Sequence, residues 1–283
     1  MFNTDLTNTV EDFARTILPL TEKDLERTWV WKDHDEEGIR FALFVTLQEL
    51  RHLAVKLATL RSQPTTAQRI LGQYHAAYMD LQAAVLGLSD EDAEKIPYEG
   101  EWPVNKAYAH ILGTDFGFTS VVRYALEGHR AGTWTKDPIP DSEYPRLYAI
   151  SEPDYDRLMD DPLSVKLAYH QGLHQRIVDE FSSIKDDELG LPSIFWEETS
   201  FPIQHRLHRY EAHFTQHTIQ IDKTLVAIGK TPTEAQRLVR KIYSALAEVE
   251  GQMIGSEKME DAVILATASS IEDRTKEIER ILA

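Results

Sequence analysis

Three histidines in this sequence have the type and spacing of metal ligands. His213 and His217 are four residues apart within an apolar helical pattern, and His110 lies far upstream in a second helical pattern. Residues at positions i and i+4 are neighbours on one face of a helix, so the pair can present both rings to one ion. Three neutral imidazoles can hold a divalent metal and leave a coordination position open for chemistry. The pattern therefore indicates a metal site, but it does not identify a substrate.

The spacing of His213 and His217 is weak evidence by itself, because the chain contains eleven histidines. Their position is stronger evidence, since His217 stands in the apolar stripe where a core leucine is expected. A buried polar ring needs a partner, because an unpaired buried polar group costs about 1–3 kcal/mol. A metal ion is one such partner, and a neighbouring carboxylate or carbonyl is the alternative. The residues around His110 on its helix are small, which indicates either open space or close packing: Ala107, Gly113, Thr114 and Gly117.

A second pair with the same spacing, His170 and His174, also falls on an apolar stripe. We expect these two rings to be polar residues on a wetter face of the bundle. They could also form a rival ligand pair, or line the same cavity as substrate contacts. His205 and His208 lie near the start of their helix, and we expect them to face solvent.

Helical periodicity dominates the chain, whereas alternation typical of strands never persists beyond a few residues. Helices are predicted over residues 37–60, 67–87, 103–127, 164–184, 203–228, 233–254 and 256–282. Pro103 suits the first turn of its helix, and Gly229 suits the position just past the end of the histidine-bearing helix. The acidic run 33–37 is typical of a helix N-terminus. We predict an all-α fold whose central helices, from 67 to 228, form a four-helix bundle with one long crossover over residues 128–161.

Composition narrows the function classes. The chain has 283 residues, no cysteine and a formal net charge of −17. The negative charge makes binding to a phosphate backbone a poor hypothesis, so we expect no nucleic-acid partner. The absence of cysteine restricts metal ligands to histidine and carboxylates and fits a cytoplasmic protein. No apolar run approaches the roughly 18 residues of a membrane span, and the first 20 residues lack a secretory pattern, so no membrane association is expected.

Four short motifs in a fixed order carry a resemblance to a known family. Residues 67–232 resemble the DinB-like four-helix bundles, which are related to YfiT-type proteins. The motifs are Leu88-Ser89-Asp90-Glu91 after the first bundle helix, Trp102-Pro103-Val104 leading into Ala109-His110-Ile111, the run from Glu211 to His217 followed by Ile219-Gln220-Ile221, and Gly229-Lys230-Thr231-Pro232. The resemblance covers somewhat over half of the chain. The remaining residues are predicted to form helical extensions, so the expected segments are 1–63, the bundle 64–232, and 233–283 packing on the bundle.

The resemblance implies a divalent metal ion, Zn or Ni, held by His110, His213 and His217. It also implies thiol-transfer or hydrolase chemistry on a small-molecule substrate. A general base is not evident, and the candidates are Glu197, Glu198, Asp115 and His170; Tyr74, Tyr78 and Trp196 are candidate pocket residues that are also expected in a core. The alternatives are a non-catalytic protein that binds a metal or a small ligand, and a metal-free interaction domain. The extra helices also suggest a homodimer.

Overall fold

The computed structural model describes residue 2 and residues 4–32, 35–195, 197, 199–256 and 261–283. Helices dominate these residues, so the predicted all-α class is confirmed. The helices are α1 (Thr4–Ile17), α2 (Glu22–Leu25), α3 (Ile39–Leu60), α4 (Thr66–Val85), α5 (Asp90–Ala93), α6 (Val104–Ala131), α7 (Tyr144–Tyr148), α8 (Glu152–Asp160), α9 (Leu163–Phe181), α10 (Ile203–Ala227), α11 (Glu234–Gly251) and α12 (Asp261–Leu282). The strands are β1 (Thr28–Trp31), β2 (Asp35–Gly38), β3 (Pro192–Ser193) and β4 (Phe201–Pro202). Within the described ranges, no helix is both long and apolar enough to cross a bilayer.

The described part of the acidic run predicted to start a helix, residues 35–37, belongs instead to a β-hairpin. Strand β2 pairs antiparallel with β1, with Glu37 opposite Trp29, and α3 begins only at Ile39. The aromatic and β-branched residues of β1 favour an extended backbone and override the helical pattern beside them. Gly38 allows the chain to turn into α3, because a Cβ there would lie 2.8 Å from the carbonyl oxygen of Leu25. Asp33 and His34 lie outside the described residues.

Contacts divide the chain into two compact units. The first contains Met1–Gln63, Met79–Gly87 and Lys230–Ala283, and the second contains Pro64–Tyr78 and Leu88–Gly229. The division cuts α4 after Tyr78. The segment limits expected from the sequence, 1–63, 64–232 and 233–283, stay a prediction.

In the first unit, the helices from the two ends of the chain pack against each other. Helix α1 contacts α11 and α12, and α3 also contacts α11 and α12. The guanidinium of Arg240 on α11 donates to Asp80 at 2.6 and 2.7 Å, and Arg274 on α12 donates to Glu49 on α3 at 2.9 Å. The N-terminal and C-terminal segments therefore share one apolar core.

In the second unit, α6 is the central helix and contacts α5, α7, α8, α9 and α10. The long helices α6, α9 and α10 each begin directly after an extended proline: Pro103, Pro162 and Pro202. Pro103 is thus the N-cap residue and not a first-turn residue as predicted. Proline suits this place because its ring fixes φ and it has no N–H that would need a partner.

The long connection predicted over residues 128–161 is shorter and partly helical. Helix α6 continues to Ala131 and ends at Gly132, whose φ of +70° is readily adopted by glycine. A 3-10 turn over Asp141–Glu143 and the helices α7 and α8 follow, and both helices pack on α6. Gly229 follows α10 with a φ of +82°, as predicted.

Candidate metal centre

Helix α10 presents His213 and His217 side by side. The helix is amphipathic, and its apolar stripe of Leu207, Tyr210, Phe214, Ile221 and Leu225 is buried. His213 and His217 lie at the margin of this stripe with 7% exposure each, and their ring centroids are 4.4 Å apart. The i, i+4 spacing thus brings both rings to one place, as the sequence predicted.

Helix α6 packs against α10 and adds the third ring. Nε2 of His110 lies 3.2 Å from Nε2 of His213, and the His110 ring centroid lies 4.7 Å from that of His217. One nitrogen from each of the three rings lies within 4.8 Å of the other two. Two nitrogens bound to the same tetrahedral zinc ion at 2.0–2.1 Å are about 3.3 Å apart. The three histidines are therefore close enough together to bind one metal ion.

The surroundings favour the neutral form of His213 and His110. The pKa of His213 is lowered to about 3, first by burial and then by the neighbouring rings of His217 and His110 and the charge of Arg209. Burial, followed by the nearby His217, also lowers the pKa of His110. A neutral imidazole offers a lone pair to a metal, whereas an imidazolium does not. The donor set therefore fits a borderline divalent ion.

Gln220 fixes the orientation of His217. Nδ1 of His217 lies 2.8 Å from Oε1 of Gln220, one turn further along α10. When Nδ1 donates its proton to this oxygen, the lone pair of the ring is on Nε2. Metal-binding histidines commonly have such a partner on the second nitrogen. The role of Gln220 was missed from the sequence, although its i+3 spacing from His217 is a local signal.

The small residues beside His110 accommodate aromatic side chains from other segments. A Cβ on Gly113 would lie 3.1 Å from the hydroxyl oxygen of Tyr155, and one on Gly117 would lie 3.0 Å from Cζ of Phe195. These glycines therefore serve close packing, one of the two alternatives considered. His110 itself is exposed, so the centre is accessible from the side of this ring. Trp102 contacts the same ring edge-on, with centroids 5.4 Å apart.

His170 does not lie on a wetter face of the bundle, as predicted, but is completely buried. Its Nε2 lies 2.9 Å from Oδ2 of Asp115, and its Nδ1 lies 2.8 Å from the hydroxyl of Tyr108. Tyr74 donates to the same Asp115 oxygen at 2.7 Å. The expectation was wrong because α6 supplies both polar partners of this ring, and periodicity on the helix of His170 cannot reveal them.

His174 is also buried, with 2% exposure, and belongs to a stacked group of rings. Its ring lies parallel to that of Tyr78, with centroids 3.8 Å apart, and its Nε2 lies 2.9 Å from Nδ1 of His75. Burial, then the nearby His75 and His170, lowers the pKa of His174 well below its usual value. His75 was not singled out from the sequence, although it follows Leu71 at helical spacing.

The candidate general bases are engaged elsewhere or lie outside the described residues. Asp115 bonds to Tyr74 and His170 in the core, and burial raises its pKa. Glu197 accepts a hydrogen bond from the buried Arg206 at 2.8 Å. Glu198 and the candidate pocket residue Trp196 lie outside the described residues. Tyr74 and Tyr78 are buried, as expected of core residues, and His205 and His208 are exposed, as predicted.

Comparison with known proteins identifies the family. The family model for the DinB superfamily matches residues 73–221, which is more than half of the chain. No curated protein and no solved structure matches the sequence. The matched region includes all three histidines of the centre. The chain therefore belongs to the DinB superfamily.

Proposed function

We propose that this protein is a metal-dependent enzyme that transfers a thiol to a small electrophilic substrate, with a Zn- or Ni-like ion held by His110, His213 and His217. The observation that carries the proposal is the convergence of three imidazole nitrogens within 4.8 Å, with one of the three rings exposed. An ion bound there would lower the pKa of a coordinated thiol or water and so would supply a nucleophile near neutral pH.

Each ligand residue has a distinct task in this proposal. His213 and His217 provide a buried pair on one rigid helix, and Gln220 holds the ring of His217 in the tautomer that leaves Nε2 free. His110 closes the ligand set from α6, and its exposed side gives a small molecule access to the centre. The group of three contains no carboxylate, so its ligands leave the positive charge of an ion uncompensated. This charge favours a bound thiolate.

The engagement of the candidate bases favours thiol transfer over hydrolysis. Hydrolysis at such a centre usually needs a protein group to take a proton from water, and Asp115, His170 and Glu197 are each held in other hydrogen bonds. A thiolate held by an ion at His110, His213 and His217 would need no such base to react with an electrophile. The engagement of these three candidates, which are the ones among the described residues, agrees with the thiol chemistry of the proposal.

Elemental analysis of protein purified without a histidine tag tests the metal. We expect one divalent ion per chain in the wild-type protein and in His208→Ala, which removes an exposed histidine from the same helix. His217→Ala should lose the ion and keep its helical circular dichroism. A wild-type protein with no stoichiometric ion would overturn the proposal, and so would unchanged stoichiometry in His217→Ala.

The reaction is tested separately on the metal-loaded protein. With cobalt(II) as a spectroscopic substitute, addition of a small thiol should produce a sulfur-to-cobalt charge-transfer band if a coordination position is open. A loaded protein whose spectrum does not respond to thiols or to other small ligands would be a closed, structural metal site. That result would replace the enzyme proposal with the non-catalytic alternative.

A further inference from the structure

We infer that the substrate is anionic, a thiol that carries a carboxylate, and that Lys106 and Arg209 are the residues that select it. This inference rests on the proposed function and adds the substrate class and two specificity-determining residues. It is carried by the placement of these two cations, by their lack of carboxylate partners and by the charge of the ligand set.

The two cations occupy equivalent places around the centre. Lys106 precedes His110 by four residues on α6, and Arg209 precedes His213 by four residues on α10. Residues with this spacing lie on the same face of a helix, one turn apart. Each long side chain therefore starts one turn before a ligand histidine.

An aromatic ring connects each cation to the neighbouring histidine. Nζ of Lys106 lies 5.2 Å from the centroid of the Trp102 ring, and Trp102 contacts the His110 ring edge-on at 5.4 Å. On the other side, Cζ of Arg209 lies 5.8 Å from the centroid of the Phe118 ring, which contacts the His213 ring at 6.0 Å. A single aromatic ring thus lies between each positive group and a candidate metal ligand.

Neither Lys106 nor Arg209 forms an ion pair with a carboxylate among the described residues, and both side chains are exposed. Other cations in this unit do form such pairs, for example Arg123 with Glu180 at 2.6 Å and Arg130 with Glu188 at 2.7 Å. Lys136 and Lys185 are exposed and, like Lys106 and Arg209, have no such pair among the described residues, but they do not flank the centre. The chain as a whole has a net charge of −17, so acidic partners are abundant. Two exposed cations without such partners beside the centre leave positive charge available for a ligand.

The ligand set adds to this positive charge. Three neutral imidazoles do not reduce the charge of a divalent ion, and the group contains no carboxylate. A substrate with a negative group next to its thiol would be attracted by the ion and by both side chains, whereas a neutral analogue would be attracted less. In an acidic protein, such a positive site selects anions from solution.

The test compares two thiols that differ in charge. Cobalt-loaded protein is titrated with 3-mercaptopropionate and with its methyl ester, and the charge-transfer absorption gives both dissociation constants. The readout is the ratio of the two constants, compared between protein variants. The two thiols also differ slightly in acidity, and this difference contributes equally to the ratio of every variant. We expect the wild-type protein to bind the carboxylate at least about tenfold more tightly than the ester. The ratio should fall by about two- to fivefold in each of Lys106→Gln and Arg209→Gln, as expected for exposed charges, and further in the double variant.

The matched control is the double variant Lys136→Gln/Lys185→Gln, which changes the net charge equally. Both control residues are exposed. Lys136 follows the C-terminal end of α6, which is roughly 30 Å from His110 along that helix. Lys185 lies three residues before Glu188, which pairs with Arg130 at the same end of α6. The control should keep the wild-type ratio. High salt should reduce the wild-type ratio without any substitution, because screening weakens attraction between exposed charges.

The outcomes separate the inference from the proposed function. Equal affinity of the wild-type protein for the two thiols would overturn the inference alone, and so would an unchanged ratio in a cobalt-loaded Lys106→Gln/Arg209→Gln variant. A wild-type protein that takes up no cobalt would overturn the metal centre itself, and the inference with it.

Discussion

Nε2 of His110 and Nε2 of His213 lie 3.2 Å apart, although 103 positions separate the two residues along the chain. Neutral imidazole nitrogens at this distance need either a proton between them or a shared cation, because two facing lone pairs repel each other. A shared cation also recruits the nearby His217, whereas a single proton leaves that ring unused. The arrangement thus favours metal binding over a simple hydrogen bond between histidines.

Metal addition is expected to stabilise the folded protein. An ion that binds only the folded state adds about 2.7 kcal/mol when its free concentration is 100 times the dissociation constant. The Tm of metal-free protein should therefore rise by several degrees on addition of Zn²⁺, measured by scanning calorimetry, and fall again with a chelator. The same titration of His217→Ala controls for ions bound elsewhere. An equal rise in both proteins would contradict a centre built on His217.

Gln220→Leu should weaken metal binding without unfolding the helix. The substitution removes the oxygen 2.8 Å from Nδ1 of His217, so the ring loses its fixed orientation and tautomer. Loss of such a partner typically reduces metal affinity about 10- to 100-fold. Competition with a metal-binding dye measures the affinity, and Gln204→Leu, an exposed position on the same helix, is the control. Equal affinities in the two variants would show that Gln220 does not orient the ligand.

Asp115→Ala should strongly destabilise the protein. The carboxylate is fully buried and bonds to Tyr74 and His170, so its removal leaves both partners without their acceptor. Breaking a buried pair by removing one member costs about 3–5 kcal/mol. Urea denaturation gives the change in the free energy of unfolding, and Asp156→Ala, at an exposed position, should change it little. A loss below about 1 kcal/mol would mean that the network contributes little.

His174 should make the protein sensitive to acid. Its pKa in the folded state is well below the ordinary value of about 6.5, so below that pH the unfolded chain binds a proton that the folded chain does not. Stability is then lost as the pH falls, by up to about 1.4 kcal/mol per pH unit, and is independent of this group above about pH 7. His174→Phe keeps a ring against Tyr78 but cannot bind a proton. Between pH 6.5 and 5, the free energy of unfolding of this variant should therefore depend less steeply on pH, by up to about 1.4 kcal/mol per pH unit. His208→Gln should leave the slope unchanged, and an unchanged slope in His174→Phe would refute the assignment.

Two glycine substitutions should act in opposite directions. A Cβ on Gly172 in α9 meets only Arg176 Nη1, at 3.4 Å, so Gly172→Ala should stabilise the protein by about 0.5–1 kcal/mol through the helical preference of alanine. A Cβ on Gly117 in α6 would lie 3.0 Å from the ring of Phe195, and the resulting overlap should cancel or reverse the same gain. Thermal unfolding of both variants measures the difference. Equal stabilisation by the two substitutions would show that Phe195 does not pack on Gly117.

Much of this protein could be predicted from its sequence, because helices depend on interactions between residues three and four positions apart. The long helices were found with their ends displaced by a few residues, and the spacing of His213 and His217 already placed both rings on one helix face. His110 was a candidate from its own helical pattern, and the family resemblance implied that it shares one ion with this pair. The hairpin of β1 and β2 was missed, because its strands are short and lie next to a strong helical pattern.

The tertiary structure decided which distant groups meet. Only the packing of α6 on α10 brings His110 to His213, and only the surrounding helices bury His170 and His174 and pair His170 with Asp115. The same packing leaves Lys106 and Arg209 beside the centre without carboxylate partners among the described residues. The physical reason is that local periodicity determines which residues share a helix face, whereas burial, pKa and ion pairing depend on the side chains that other helices bring to that face.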